Sequence, residues 1–430
     1  TRQEVNDQIV ALNQKAKEQK DQLMNEVQKL RTYVTHRADQ LNRLDLISDE
    51  QRENLIDTPN SEQAGENALS FSDDLDGDFN HLVDHMQAYL LDDGILYPRF
   101  LLEDFLTLLR THDLVVLSGL SGSGKTQLVH SFAEAVNGKA HVIPVKPNWT
   151  SSEDLLGYYN PLQKSYLSTP FLDALIEAKR NPESLHLICL DEMNLARVEY
   201  YFADFLSKLE ERKDTPELPL YSTEEAGHVQ AEVRALMDVI DEAENQNNEE
   251  VHEHFGELLR DEEVSELLQQ RLGIENGKSF VELHAHIRRM IAGVLNVPAK
   301  LSLPENVRFV GAINMDQTTN TLATKVLDRA HVVRFESPMT YDWESIQEES
   351  KASGAEPAPV HLPAGQFTPE RKSYPKYQPG KDRIADQLVE WTNEYLRPIG
   401  IDIGLRTIRQ AINYRNLLGQ VHSGGEEELY

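Results

Sequence analysis

Along the chain the apolar residues keep two different rhythms. Leu114–Leu117, Leu187–Leu190 and Val307–Ile313 are nearly unbroken apolar runs, the pattern of strands buried on both faces of a parallel sheet, and Ala140–Val145 reads as a further strand. Between these runs the spacing turns to three and four. Leu128, Val129, Phe132 and Ala135 lie on or near one helical face, Phe171–Lys179 is amphipathic, and Asn194–Glu210 reads as a helix. Leu322–Phe335 reads as a short helix running into a strand. Upstream, His81–Arg110 has a helical period broken in two by Tyr97-Pro98. Downstream, Ile384–Tyr395 and Thr407–Leu418 predict the helices of a small lid. Strands alternating with helices predict an α/β fold with a parallel sheet flanked by helices.

The amino-terminal stretch follows another pattern. From Val5 to Leu44 the chain is rich in Gln, Lys and Glu and has no Gly or Pro. Ile9, Leu12, Ala16, Leu23, Val27, Leu30, Val34, Leu41 and Leu44 recur at threes and fours, with the extra step at Leu23–Val27 reading as a stutter. Gln19 and Arg37 fall on the seam and weaken it. Residues 1–55 are therefore expected as a coiled coil or long helix, its Val5–Leu44 stretch extending roughly 60 Å if unbroken; a solitary solvated helix is the alternative. Its expected work is to join subunits or hold a partner.

The remaining boundaries follow from composition. Residues 56–80 mix Pro, Asn, Gly, Ser and Asp and read as a linker; 81–210 hold the first part of the α/β core. Residues 211–300 are acidic, rich in Gln and Asn and low in aromatics, an inserted helical arm. The core resumes over 301–345, residues 346–382 read as a Pro/Ser/Gly/Lys-rich linker or excursion, and 383–430 as the α-helical lid.

Charge narrows the partners. Against 42 Lys and Arg stand 72 Asp and Glu, a formal net charge of −30. Duplex DNA binding usually takes a basic stripe, and none is visible here, so any contact with DNA falls to a local pore surface or a partner. The one cysteine, Cys189, lies inside an apolar strand and is expected as a small core residue; it can form no internal disulfide, which fits a reducing compartment. No apolar run approaches the roughly 18 residues of a membrane span. No signal-like segment opens the chain, so a cytoplasmic setting without membrane contact is the default expectation. The chain starts on Thr1 rather than Met and stops at Tyr430 just after a Gly-Gly-Glu-Glu-Glu run, which leaves open whether it is a piece of something longer.

The chemistry gathers at strand ends. After Leu114–Leu117 comes Gly119-Leu120-Ser121-Gly122-Ser123-Gly124-Lys125-Thr126, which satisfies G-x-x-x-x-G-K-[ST] between a strand and a helix. Glycines let successive backbone N–H groups turn toward phosphate oxygens, and the new helix presents its positive end to the same anion. Lys125 adds a cation for the terminal phosphates and the Thr126 hydroxyl a ligand for Mg²⁺. Ser121, Gly122, Ser123, Gly124 and Gln127 complete the expected nucleotide contacts. A second strand ends in Asp191-Glu192. Asp191 is expected to hold Mg²⁺ through its water shell, and Glu192 to orient or deprotonate a water in line with the terminal phosphate. Asn314, at the tip of Val307–Ile313, can position that water or sense the phosphate. Arg329, at the end of a short helix, could reach the nucleotide of a neighbouring subunit, the alternative being a salt bridge within its own. Arg406, opening a lid helix, could touch the phosphates, with Arg409 as the competing choice.

Together the Gly119–Thr126 loop, LICLDEMN, VRFVGAINMDQTT and KVLDRAHVVRF resemble an AAA+ ATPase core. More narrowly, DEMNLARVEYYFADFLSKLE and NMDQTTNTLATKVLDRA resemble the branch that holds McrB-type restriction motors, MoxR-like ATPases and dynein-related modules. The resemblance covers residues 100–210 and 300–420. It implies Lys125 and Thr126 as Walker A contacts, Asp191 and Glu192 as Walker B, Asn314 as sensor 1, Arg329 as the finger acting in trans and Arg406 as sensor 2. Those restriction motors carry Met-Asn-x-x-Asp-Arg where this chain has Asn314-Met315-Asp316-Gln317-Thr318-Thr319, so ATP is favoured, with GTP the alternative. The implied protein is a homo-oligomeric ring, a hexamer, that hydrolyses nucleotide with Mg²⁺. It would serve as the motor subunit of a bacterial DNA-restriction or anti-phage defence complex, alongside a nuclease or other protein effector. A MoxR-like chaperone remodelling a protein partner, and a nucleotide-stabilised coiled-coil scaffold, are the rivals.

Overall fold

The computed structural model describes residues 42, 52, 68–160, 165–211, 215–220, 285, 297, 300–314, 320–336, 338–367, 375–400 and 402–422. Apart from 42 and 52 in the expected coiled coil, and 211, 215–220, 285, 297 and 300 in the acidic insertion, those two stretches lie outside these residues. Two compact units are distinguished. The smaller has two described features, an antiparallel hairpin of Gly157–Asn160 with Ser165–Ser168 and an antiparallel pair of Glu217–Pro219 with Lys300–Ser302.

The larger unit is built on five strands: β1 (Leu114–Gly119), β2 (Lys139–Pro144), β3 (His186–Asp191), β4 (Val307–Asn314) and β5 (Ala330–Arg334). Their order is β5-β1-β4-β3-β2, and every neighbouring pair is parallel. The apolar runs account for the centre of this sheet. All six residues of β1 are buried, as are the first five of β3 and the first seven of β4. Strands β2 and β5, at the edges, are only partly covered.

Helices close both faces. α1 (Phe79–Asp92) and α2 (Arg99–Leu109) precede β1, and α3 (Lys125–Ala135) follows it. Their Leu82, Met86, Phe105 and Phe132 join Val115, Val310 and Ala312 in one buried cluster, with the Phe105 and Phe132 rings edge to face. Successive strand residues point to opposite faces, so Phe309 looks the other way. There it stacks on Phe171 of α4 (Pro170–Arg180) and meets Phe205 of α5 (Ala203–Lys208), their ring centroids 5.8 and 5.5 Å apart. Cys189 is fully buried, and burial pushes its thiol up to about 12, which leaves it an inert core residue. Trp149 packs edge to face on Tyr201.

Two stretches read as linkers carry more structure than their composition suggested. Within 56–80, Leu69–Ser70 pairs with Val360–His361, and Phe71 and Leu75 are buried. Within 346–382, most of α7 (Trp343–Ser353) and the buried Val360, Leu362 and Phe367 are found; the short helix α6 (Thr324–Leu327) precedes them. A few well-spaced apolar anchors hold these segments down although Pro, Gly and Ser dominate around them. The last helices are α8 (Arg383–Trp391) and α9 (Leu405–Leu418), close to their expected limits. Among the described residues, no helix is long and apolar enough to cross a membrane.

Because Phe205 is fully buried between Phe171, Phe202 and Phe309, Phe205→Ala removes one wall of that aromatic cluster. It should cost about 3–5 kcal/mol. Urea unfolding followed by circular dichroism measures this; a loss near zero would show that the cluster does not support the sheet.

Candidate nucleotide site

All five strands of the central sheet run the same way, so the carboxyl ends of β1, β4 and β3 lie side by side. In register, Gly119 at the end of β1 faces Asn314 at the end of β4, and Asp191 ends the strand on the far side of β4. The loop after β1 opens a cleft of about 320 Å³ lined by Ser121, Gly122, Ser123, Gly124, Lys125, Thr126, Gln127, Asp191, Glu192 and Asn314. Every residue lining it was singled out from the sequence; Gly119, the loop's first residue, ends β1 just before it.

The loop's shape depends on two glycines. Gly122 and Gly124 sit at φ +76° and +90°, where a Cβ would be strained. Gly124 is also the N-cap of α3, so the helix dipole begins at the cleft. Lys125 is almost fully buried, and its Nζ donates to the carbonyls of Gly119 at 3.2 Å and Leu120 at 2.7 Å. Burial lowers its pKa, while Asp191 acts to raise it.

Across the cleft, the Thr126 hydroxyl donates to Asp191 Oδ1 at 3.1 Å. A hydroxyl and a carboxylate so close, both open to the cleft, suit a hard cation that keeps several waters and takes its other ligands from phosphate. Among the described residues no group of three or more His, Cys, Asp or Glu could hold a metal alone, so these two oxygens fit Mg²⁺ only as it arrives with a nucleotide. Glu192 occupies the left-handed region at φ 50°, unusual for a side-chain-bearing residue. That turn brings its Oε1 to 3.4 Å from Asn314 Nδ2.

The two arginines do not line this cleft. Arg329 immediately precedes β5, whose first residue, Ala330, lies opposite Leu114 at the start of β1. It therefore sits at the amino end of the sheet, six residues of strand before Gly119, or roughly 20 Å at about 3.3 Å each. Arg406 joins it there. Glu210 accepts Arg329 Nε and forms an ion pair with Arg406 Nη2 at 2.9 Å, and Asp328 accepts Arg406 Nη1. Arg406, expected at the phosphates, is thus held at the opposite end from its own loop.

Sequence reasoning missed three supporting residues. Tyr97, noted only as a helix break, is buried, and its hydroxyl donates to the Gly124 carbonyl at 2.8 Å. Burial raises its pKa far above the ordinary value, so it remains a neutral donor. Asn194 donates to the Asn314 carbonyl at 3.1 Å, fixing the end of β4 against the turn after Glu192. Glu210 had no motif to mark it.

An α/β P-loop core with an acid pair on the strand two places from the loop defines a class of nucleotide-binding protein. Residues 114–260 match the family model described as the AAA domain, dynein-related subfamily, which supports an AAA+ ATPase and nucleotide and Mg²⁺ use in general. A search of curated proteins finds no match to the chain.

Tyr97→Phe keeps the ring and deletes only its bond to Gly124. With about 1 kcal/mol of preorganisation lost, affinity for an ATP analogue should fall about fivefold. Titration calorimetry reads this out; unchanged affinity would remove Tyr97 from the site.

Proposed function

We propose that this protein is a ring-forming AAA+ ATPase, a hexamer, whose hydrolysis centre is completed by a neighbouring copy. The observation that carries the reading is the hydrogen bond from Thr126 to Asp191 within the loop cleft, with Glu192 and Asn314 beside it. Backbone N–H groups of Ser121–Thr126 and the start of α3 would cradle the phosphates, with Gln127 at the edge of the cradle. Lys125 would exchange its loop carbonyls for phosphate oxygens. Mg²⁺, held from Thr126 and through water from Asp191, would neutralise charge on the phosphates. Glu192, oriented by Asn314, would take a proton from water as its oxygen bonds to the terminal phosphorus and the bridging bond breaks toward ADP.

Arg329 is too far from its own loop to touch that phosphate, which supports action on a second copy's nucleotide. Arg406, bound in the same cluster, would act from the same place. α8 and α9 would form the lid whose movement transmits hydrolysis. On the sequence resemblance, the assembly would be the motor of a McrB-like restriction or anti-phage defence complex, with a nuclease or other effector as partner. The strong negative charge favours a second reading, a MoxR-like chaperone acting on a protein.

The deciding measurement is turnover of ATP against GTP, with and without DNA, on protein of known mass. ATP should be preferred; stimulation by DNA supports the motor, and stimulation only by a protein the chaperone. Glu192→Gln should lower turnover by at least 100-fold, an order-of-magnitude expectation for a lost general base, while nucleotide stays bound. Unchanged turnover would remove Glu192 from the mechanism.

A further inference from the structure

The cluster at the amino end of the sheet has an order of its own. Glu210, just past α5, places Oε1 against both guanidiniums, receiving Arg329 through Nε and Arg406 through Nη2. Arg329 also donates Nη1 to the Lys325 carbonyl at 3.0 Å, which ties it to α6. The planar guanidinium is thereby gripped along its Nε edge, and no described residue takes its Nη2. Two like charges held this close would separate without a shared anion between them. Asp328 supplies the second anion on the far side of Arg406. All four side chains keep between a quarter and a half of their surface exposed, so the cluster is open to an incoming anion.

We infer that Glu210 is a positioning residue for Arg329: it fixes the guanidinium at Nε, with Arg406 as the third member sharing its charge, so that the partly exposed end of the fork is kept in place for a terminal phosphate. The inference rests on the proposed action of Arg329 on a neighbouring copy. A side chain with as many torsions as arginine would otherwise sample many directions, and a fixed direction spares that loss of freedom when the phosphate arrives. Neutralisation by Glu210 is partial in effect, since a carboxylate oxygen bound at Nε leaves N–H groups at the Nη end of the delocalised cation able to donate. The role belongs to turnover, when charge grows on the transferring phosphate, more than to binding of ground-state nucleotide.

The test compares full-length wild type, R329A, E210Q, E210D and the E210Q/R329A double variant in steady-state ATP hydrolysis, with particle mass followed by light scattering. R329A should lower kcat at least tenfold. E210Q should lower kcat three- to tenfold with KM within a factor of two and the same mass, E210D should recover at least half of the loss, and the double variant should be no slower than R329A. A merely structural Glu210 would shift mass or KM together with kcat, and that result overturns the role. If R329A is slow while E210Q matches wild type, Glu210 alone loses its assignment. If R329A matches wild type, the finger reading itself falls and takes this inference with it.

Discussion

Parallelism is the constraint from which the rest follows. Because all five strands share a direction, residues that end strands meet at one end of the sheet and residues that begin them meet at the other. The loop, Asp191, Glu192 and Asn314 all follow or end strands, and they line a single cleft. Asp328 and Arg329 precede one, and they lie at the opposite end. A single antiparallel strand at β3 or β4 would have carried its carboxylates or its amide away from the loop. The buried apolar runs that hold these strands at the centre of the sheet are therefore as necessary to the site as the polar residues at their tips.

Support for the cleft comes from outside the motifs. Tyr97 reaches the loop from the turn between α1 and α2, and Asn194 reaches the end of β4 from the turn after Glu192. Both bond main-chain carbonyls, which gives them a hold on backbone direction where a glycine-rich loop and a left-handed glutamate have little intrinsic preference. The strained turn at Glu192 is tolerable only because its neighbours over-determine it.

The central sheet and the cleft were legible from the chain because each uses a strong local signal. Buried strands are apolar without interruption, and a phosphate loop confines glycines, lysine and threonine to eight consecutive positions. The sequence could not place Arg406, because its neighbours Glu210 and Asp328 are far away in the chain and a salt-bridge partner has no periodicity. The packed parts of 68–80 and 343–367 were obscured for a related reason: Phe71, Leu75, Val360 and Phe367 are single anchors amid turn-forming residues, too few to set a period.

Charge gives the two-ended layout its sense. Among the described residues lining the cleft, Lys125 is the one cation, against the carboxylates of Asp191 and Glu192. A triphosphate entering this cleft meets net negative side chains, and the extra charge that develops as its terminal bond breaks would find no further cation there. On the proposed reading, Mg²⁺ offsets the ground-state charge and a guanidinium from another copy offsets the rest. A lone copy would then bind nucleotide yet turn it over slowly, since its own arginines are roughly 20 Å from its loop. On the same reading, Glu210 and Asp328 keep those arginines in place for a neighbour's phosphate, so that assembly, rather than nucleotide alone, would be the condition for hydrolysis.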